Sequence, residues 1–143
     1  MHTKIPTSFS VVSKYYDESG VLYDEMRARA DGCIEIKGNE TKILYREKSE
    51  GVISVTDITF TERDRITLKK SGAARYECVF AVGKRCDFLY YAPPLSFDAQ
   101  ITAKSIRNSL CIVGGCIEIE YDMNMGGHNQ RVSIRIDAEA SKK

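Results

Sequence analysis

The chain has 143 residues, with 21 basic against 20 acidic side chains and a net charge of +1. That length suits one domain, 1–143, around a single core, and the balanced charge argues against a nucleic-acid footprint, which needs a basic excess on one face. The opening MHTKIPTSF lacks the apolar stretch of a secretion signal and no later segment approaches a membrane span, so a cytoplasmic protein without membrane contact is expected.

Five cysteines (Cys33, Cys78, Cys86, Cys111 and Cys116) form no CxxC pair, and only His2 and His128 could join them at a metal. Neither a zinc site nor a disulfide framework is expected, nor any other cofactor. The thiols read as reduced, half-buried apolar residues.

Helix-period patterns are nearly absent and turn signals recur at short intervals, which points to an antiparallel all-β fold. Phe9–Tyr16 and Tyr23–Ala30 form the first pair across Asp17–Gly20, with Phe9, Val11 and Tyr15 facing inward beside Met26, Ala28 and Ala30. Gly32 reads as a bend, and residues 1–6 are expected to fray. A two-residue turn at Gly38-Asn39 sets Ile34 opposite Ile43 and Glu35 opposite Lys42. The polar stretch Arg46–Gly51 then reads as a loop, and the apolar phase slips at Asp57 as it would at a β-bulge.

Three short connections follow. Glu62-Arg63-Asp64 aligns Phe60 with Ile66 and Ile58 with Leu68; Ser71-Gly72-Ala73 aligns Leu68 with Tyr76 and Ile66 with Cys78; Gly83-Lys84-Arg85 aligns Phe80 with Phe88 and Cys78 with Tyr90. Arg63 is a poor turn residue where glycine or asparagine would suit better. Pro93-Pro94 bends the chain or marks an edge. Phe97, Ala99, Ile101 and Ala103 then alternate with polar residues, and a second slip near Ser105 turns Ile106, Leu110 and Ile112 inward.

The clearest strand is Ile117–Met125, where Ile117, Ile119, Tyr121, Met123 and Met125 alternate with Glu118, Glu120, Asp122 and Asn124. With Gly114-Gly115 as the turn before it, Ile112 meets Ile117, Leu110 meets Ile119 and Ile106 meets Met123, while Arg107 falls opposite Asp122. The loop Gly126–Asn129 sets Val132, Ile134 and Ile136 against Met123, Tyr121 and Ile119, with Glu120 facing Arg135, and Glu139–Lys143 is a polar tail expected to fray. About ten hairpin-linked strands in an open meander would leave long edges, so a closed or nearly closed barrel is expected.

The combination of K-S-G at Lys70–Gly72, V-G at Val82-Gly83, F-L-Y-Y at Phe88–Tyr91, T-A-K-S-I at Thr102–Ile106 and I-E-I-E-Y-D-M at Ile117–Met123 resembles the YwiB-like family, a bacterial domain of unknown function. The resemblance runs from about Ser8 to Asp137. It implies a calycin-like, that is lipocalin-like, antiparallel barrel in a small cytosolic protein. It implies no catalytic residues, because the family has none assigned. Two departures from the family's pattern are Cys111-Ile112-Val113, where an acid-rich tip is usual, and Leu95, where a glycine is usual.

Tyr15, Tyr45, Tyr76, Tyr90 and Tyr121 fall on the inward list, five of the eight tyrosines. Two readings stand. In one they line a barrel mouth that binds a small hydrophobic or aromatic ligand; in the other they bond to backbone or water in a barrel filled by its own side chains. Outward Lys14, Arg27 and Arg29, with Arg46 and Lys48, read as a solvated face more readily than a nucleic-acid site. His128 has no ligand-spaced partner, and no serine or cysteine has a base in a recognisable motif, so an enzyme is not supported. The expected function is non-catalytic ligand binding in the barrel mouth. The alternative is an accessory domain contacting protein or RNA through its outer surface, and catalysis enters only by analogy with the fold. Val113, Cys111 and Cys116 together suggest an apolar hairpin tip through which a homodimer could form.

Overall fold

Alternation of apolar and polar residues becomes ten strands in the computed structural model, which describes residues 2–49 and 51–140. These are β1 (His2–Tyr16), β2 (Leu22–Lys37), β3 (Glu40–Ser49), β4 (Val52–Phe60), β5 (Arg65–Ser71), β6 (Tyr76–Ala81), β7 (Arg85–Ala92), β8 (Leu95–Asn108), β9 (Gly114–Met125) and β10 (His128–Ala140). They form one antiparallel sheet in the order β6-β5-β4-β3-β2-β1-β10-β9-β8-β7. The first and last strands of the chain pair along their length, from Thr7↔Ala140 to Tyr16↔Arg131. Closure therefore falls between the sequence neighbours β6 and β7. These meet by backbone bridges at Arg75↔Tyr91 and Ala81↔Lys84, and between them the Val79 N–H donates to the Cys86 sulfur at 3.4 Å. The barrel is nearly closed, with β6–β7 as its seam.

Register explains what faces inward. One lateral row runs Ile5–Ile34–Ile43–Ile58–Leu68–Cys78 across β1 to β6, wholly apolar. The next row towards one end runs Thr7–Gly32–Tyr45–Thr56–Lys70–Tyr76. The interior thus changes from oily to polar within one pleat. Gly32 lies inside the continuous β2, where a Cβ would overlap the Leu44 carbonyl oxygen, so it permits a close backbone approach there.

The apolar end is plugged. Leu110 is almost wholly buried, and Arg63 Nη1 donates to the carbonyls of Leu110 at 2.6 Å and Asn108 at 3.2 Å. Asn108 Nδ2 answers by donating to the Arg63 carbonyl at 3.3 Å, and the guanidinium stands 5.9 Å from the Phe60 ring centroid. Arg63, a poor turn former, is retained as a latch across the barrel floor.

Several expectations hold: the first hairpin with Phe9↔Ala30 and Val11↔Ala28, Ile34↔Ile43 and Glu35↔Lys42, Ile58↔Leu68, and a register shift between Ala103 and Ser105. Pro93-Pro94, joined by a cis bond, forms the β7–β8 turn with Ala92 opposite Leu95.

Others are corrected. Arg46–Gly51 is not a loop, because β3 and β4 stay paired to Ser49↔Val52, and no bulge interrupts them at Asp57. The inward position is instead the polar Thr56, and Ile53 is exposed. The β5–β6 register is Leu68↔Cys78 and the β9–β10 register is Val132↔Tyr121, Ile134↔Ile119 and Ile136↔Ile117, with Arg135 opposite Glu118. Both differ from expectation by two residues, which leaves every side chain on its expected face. The expected Phe80–Phe88 and Cys78–Tyr90 pairings fall at the seam, where Arg75 opposite Tyr91 sets a different register.

Gly114-Gly115 is not a turn. The chain reverses at Ile112-Val113 under the Cys111↔Gly114 bridge, and β8 meets β9 as Ile106↔Ile119, Arg107↔Glu118 and Asn108↔Ile117. The glycines lie in β9 with φ of 128° and 127°, where a Cβ would stand 2.5 Å from the Ala138 and Ser109 carbonyl oxygens respectively. Cys111 and Val113 remain exposed, but Cys116 sits in the strand opposite Asp137, apart from the tip. Residues 2–6, expected to fray, pair with β2 from His2↔Lys37, and Met26 is exposed rather than packed. Glu139 and Ala140 belong to β10; the rest of the expected tail, 141–143, lies outside the described residues.

Candidate functional site

The end opposite the Arg63 latch is where polar residues enter the interior. β1 and β2 meet there at Asp17–Val21, β7 and β8 at Pro93-Pro94, and β9 and β10 at Gly126-Gly127. Its rim is apolar. Met26, Val52 and Phe97 lie on the inward phase of their strands and are nonetheless 58%, 45% and 36% exposed. In a filled, sealed barrel those positions would be covered.

All five inward tyrosines gather behind this rim. Tyr76 stacks on Tyr90 across the seam, with ring centroids 5.1 Å apart, and tilts against Phe88 at 5.8 Å. Tyr45 packs on Phe9 at 5.2 Å and Tyr121 on Phe80 at 4.9 Å. Tyr15 stands 6.4 Å from Tyr23, whose hydroxyl bonds Gln130. On ionisation the phenols would repel one another: Tyr76 faces Tyr90, Tyr15 and Tyr45 in this way, and Tyr121 faces Tyr76 and Tyr15. Burial is the main cause that pushes Tyr45 up to about 12 and Tyr15, Tyr76 and Tyr121 above the ordinary phenol range. At neutral pH they are uncharged hydroxyls that can donate or accept.

Most of those hydroxyls have little to bond within the protein. Tyr45 faces Thr56, whose hydroxyl lowers its pKa against the larger upward push of burial; Thr56 Oγ1 is itself buried without a well-formed hydrogen bond. The hydroxyls of Tyr76, Tyr90 and Tyr121 make no hydrogen bond among the described residues. Thr56 Oγ1 is the sole sealed, unpartnered polar side-chain atom among those residues. The tyrosine hydroxyls are unpartnered without being sealed, although Tyr121 is only 8% exposed.

Lys70 and Glu47 also belong to the inward polar set. Alternation from buried Ile66 places Lys70 inward on β5, between Thr56 on β4 and Tyr76 on β6. Alternation from buried Tyr45 places Glu47 inward on β3, opposite Ser54. Sequence reasoning missed Thr56, Lys70 and Glu47. A supposed bulge at Asp57 hid Thr56, and a two-residue error in the β5–β6 register set Tyr76 beside Leu68 instead of Lys70. Unbroken alternation through Ile66, Leu68 and Lys70 was the available signal.

Two clefts on the outer face, each of about 790 Å³, are not lined by the five tyrosines. One lies under the Asp17–Gly20 loop and holds Arg131, which pairs with Asp122 at 3.3 Å and Glu120 at 3.8 Å. The other holds Arg29 and Arg46 together with Asp31, Asp137 and Glu139. Of the outward basic set, Lys14 and Arg27 both pair with Glu25, at 3.8 Å and 3.2 Å. Among the described residues no group of three His, Cys, Asp or Glu could hold a metal, and no helix is long and apolar enough to cross a membrane.

Comparison with known proteins agrees with the fold. The family model described as "Domain of unknown function (DUF1934)" matches residues 10–136. Among solved structures, the YwiB protein from Bacillus subtilis has a TM-score of 0.85 at 22% identity, covering 97% of this chain and 94% of that one. At that identity the likeness speaks for the fold alone. No curated protein matches the chain.

Proposed function

The chain belongs to the DUF1934 family of domains of unknown function, and from the geometry of its barrel we propose non-catalytic binding of a small hydrophobic or aromatic ligand at the open mouth. The observation that carries this reading is the set of enclosed, unpartnered hydroxyls of Tyr76, Tyr90 and Tyr121 behind the apolar rim of Met26, Val52 and Phe97. Protein interiors satisfy their polar groups, and ligand sites combine an apolar lining with a few convergent polar groups. A floor closed by Leu110 and an open opposite end give the layout of a calycin-like binder; the name is an analogy of architecture. Five free thiols suit a reducing compartment, and the cytoplasm is the proposed location.

A ligand that binds only the folded barrel raises its melting temperature by mass action. Thermal melts against lipids and aromatic metabolites should therefore yield at least one stabilising compound whose effect disappears in Phe97→Glu. A panel with no stabilising member counts against the proposal.

The runner-up, contact with protein or RNA through the outer surface, draws on Arg29 and Arg46, which have no ion-pair partner among the described residues and line one outer cleft. Three acidic side chains share that cleft, which works against a polyanion. Salt-sensitive RNA retention lost in Arg29→Ala and Arg46→Ala would favour this reading over the mouth.

A further inference from the structure

We propose that the mouth selects amphipathic anions, with Lys70 as the anchor for a carboxylate head group and the apolar rim taking the tail. This rests on the mouth being the binding site and names the class of ligand it takes. Lys70 lies in the lateral row Tyr45–Thr56–Lys70–Tyr76, one pleat from the apolar row Ile43–Ile58–Leu68–Cys78. Its ammonium makes no ion pair among the described residues, and its ladder neighbour Tyr76 carries a hydroxyl that makes no hydrogen bond among them. Thr56, the neighbour on the other side, is only 3% exposed and its Oγ1 is sealed against Tyr45. A carboxylate set against Lys70 would accept from the ammonium and from the flanking Tyr76 hydroxyl together, and charge-assisted bonds are the strong ones.

The tail then has one direction to run. Towards the floor the barrel is packed with Ile43, Ile58 and Cys78; towards the mouth lie Met26, Val52 and Phe97. The inward Glu47 and the rim residue Asp24 are the opposing charges. Glu47 is one pleat nearer the mouth than Tyr45, opposite Ser54, and no ion pair joins it to Lys70. Its position disfavours a second negative charge along the tail and so favours a monoanion.

The test is calorimetric titration of the wild-type protein, Lys70→Met and Lys70→Arg with octanoate, octanol and octylamine. Methionine keeps the apolar stem of lysine and removes the charge, and a thermal melt checks that each variant is folded. Expected are octanoate binding about tenfold or more tighter than octanol, loss of that margin in Lys70→Met, and its retention in Lys70→Arg. Equal affinity for octanoate and octanol, or unchanged octanoate affinity in Lys70→Met, overturns the anchor and leaves the mouth as a site. Preference for octylamine overturns the sign of the selection. No binding of any of the three also overturns the anchor, and the mouth itself is then judged by the thermal panel, which does not depend on Lys70.

Discussion

Tyr76 on β6 stacks on Tyr90 on β7 with ring centroids 5.1 Å apart and planes inclined by 25°, so a pair of side chains spans the stretch of wall where the backbone ladder is incomplete. Bridges hold the seam at Arg75–Tyr91 and Ala81–Lys84, and the aromatic pair lies just inside the first of them. The residues that line the mouth therefore also help to close the barrel.

The two roles of Tyr76 separate by substitution. Its hydroxyl bonds nothing among the described residues, so Tyr76→Phe should change stability by no more than about 0.5 kcal/mol in urea denaturation. Tyr76→Ala removes the ring and should cost about 2–4 kcal/mol, with faster amide hydrogen exchange at Val79 and Tyr91. Equal losses in the two variants would mean that the hydroxyl has a structural partner.

At the other end, Arg63 holds the Asn108 and Leu110 carbonyls. Arg63→Ala leaves both without their charged donor and should cost about 1.5–3 kcal/mol, read from the urea midpoint. Arg63→Gly, a better turn residue, should be no better. A stabilised glycine variant would show that the turn matters more than the latch.

Gly114 faces the Ala138 carbonyl so closely that a Cβ would stand 2.5 Å from it, at a φ of 128°. Gly114→Ala should destabilise by about 3 kcal/mol or more. Val113→Ala, at a side chain 73% exposed, should lie within about 0.5 kcal/mol of wild type. Thermal melts of the pair separate a backbone constraint from a general sensitivity of this hairpin.

Alkaline pH provides an independent check on the buried phenols. Unfolded tyrosine ionises near 10.0, whereas burial holds Tyr45 up to about 12 and raises Tyr76 and Tyr121 well above the unfolded value. Above pH 10 the unfolded chain has released protons that the folded barrel retains, so stability is fully present below that pH and falls as pH rises through the folded values. Cys78, pushed from 9.0 up to about 12 by burial, adds the same slope from pH 9. Urea midpoints should drop between about pH 9 and pH 12, less steeply in Tyr45→Phe/Tyr76→Phe. A flat profile would show that these phenols titrate as exposed groups.

The same burial ranks the thiols. Cys111 is exposed and Cys78 buried, so at neutral pH an alkylating reagent should modify Cys111 first and Cys78 only on unfolding. Mass spectrometry of partly modified protein gives the order, and early labelling of Cys78 would mean that the interior is open at the seam.

How far the sequence was legible follows from the period of a strand. Alternation through Ile117, Ile119 and Tyr121 identifies the inward face whatever the pairing, and a register error of two, as at Leu68 and Val132, leaves it unchanged. Glycine was less informative, because the same residue serves a turn at Gly38 and a close approach at Gly32 and Gly114. The five tyrosines were found because alternation places them inward. Thr56 and Lys70 were not, since a polar residue on an inward phase reads as a slip until lateral neighbours on β4 and β6 are known. The seam and the Arg63 latch join parts of the chain that no local pattern relates.

The most direct test of a binding mouth is amide chemical-shift mapping during titration with indole, a small aromatic probe without charge. Binding there predicts saturable shifts clustered at Ala28, Thr56, Tyr76, Tyr90 and Phe97, with Arg131 and Asp122 in the outer cleft unmoved. Shifts confined to that outer cleft, or none at saturating probe, would contradict it.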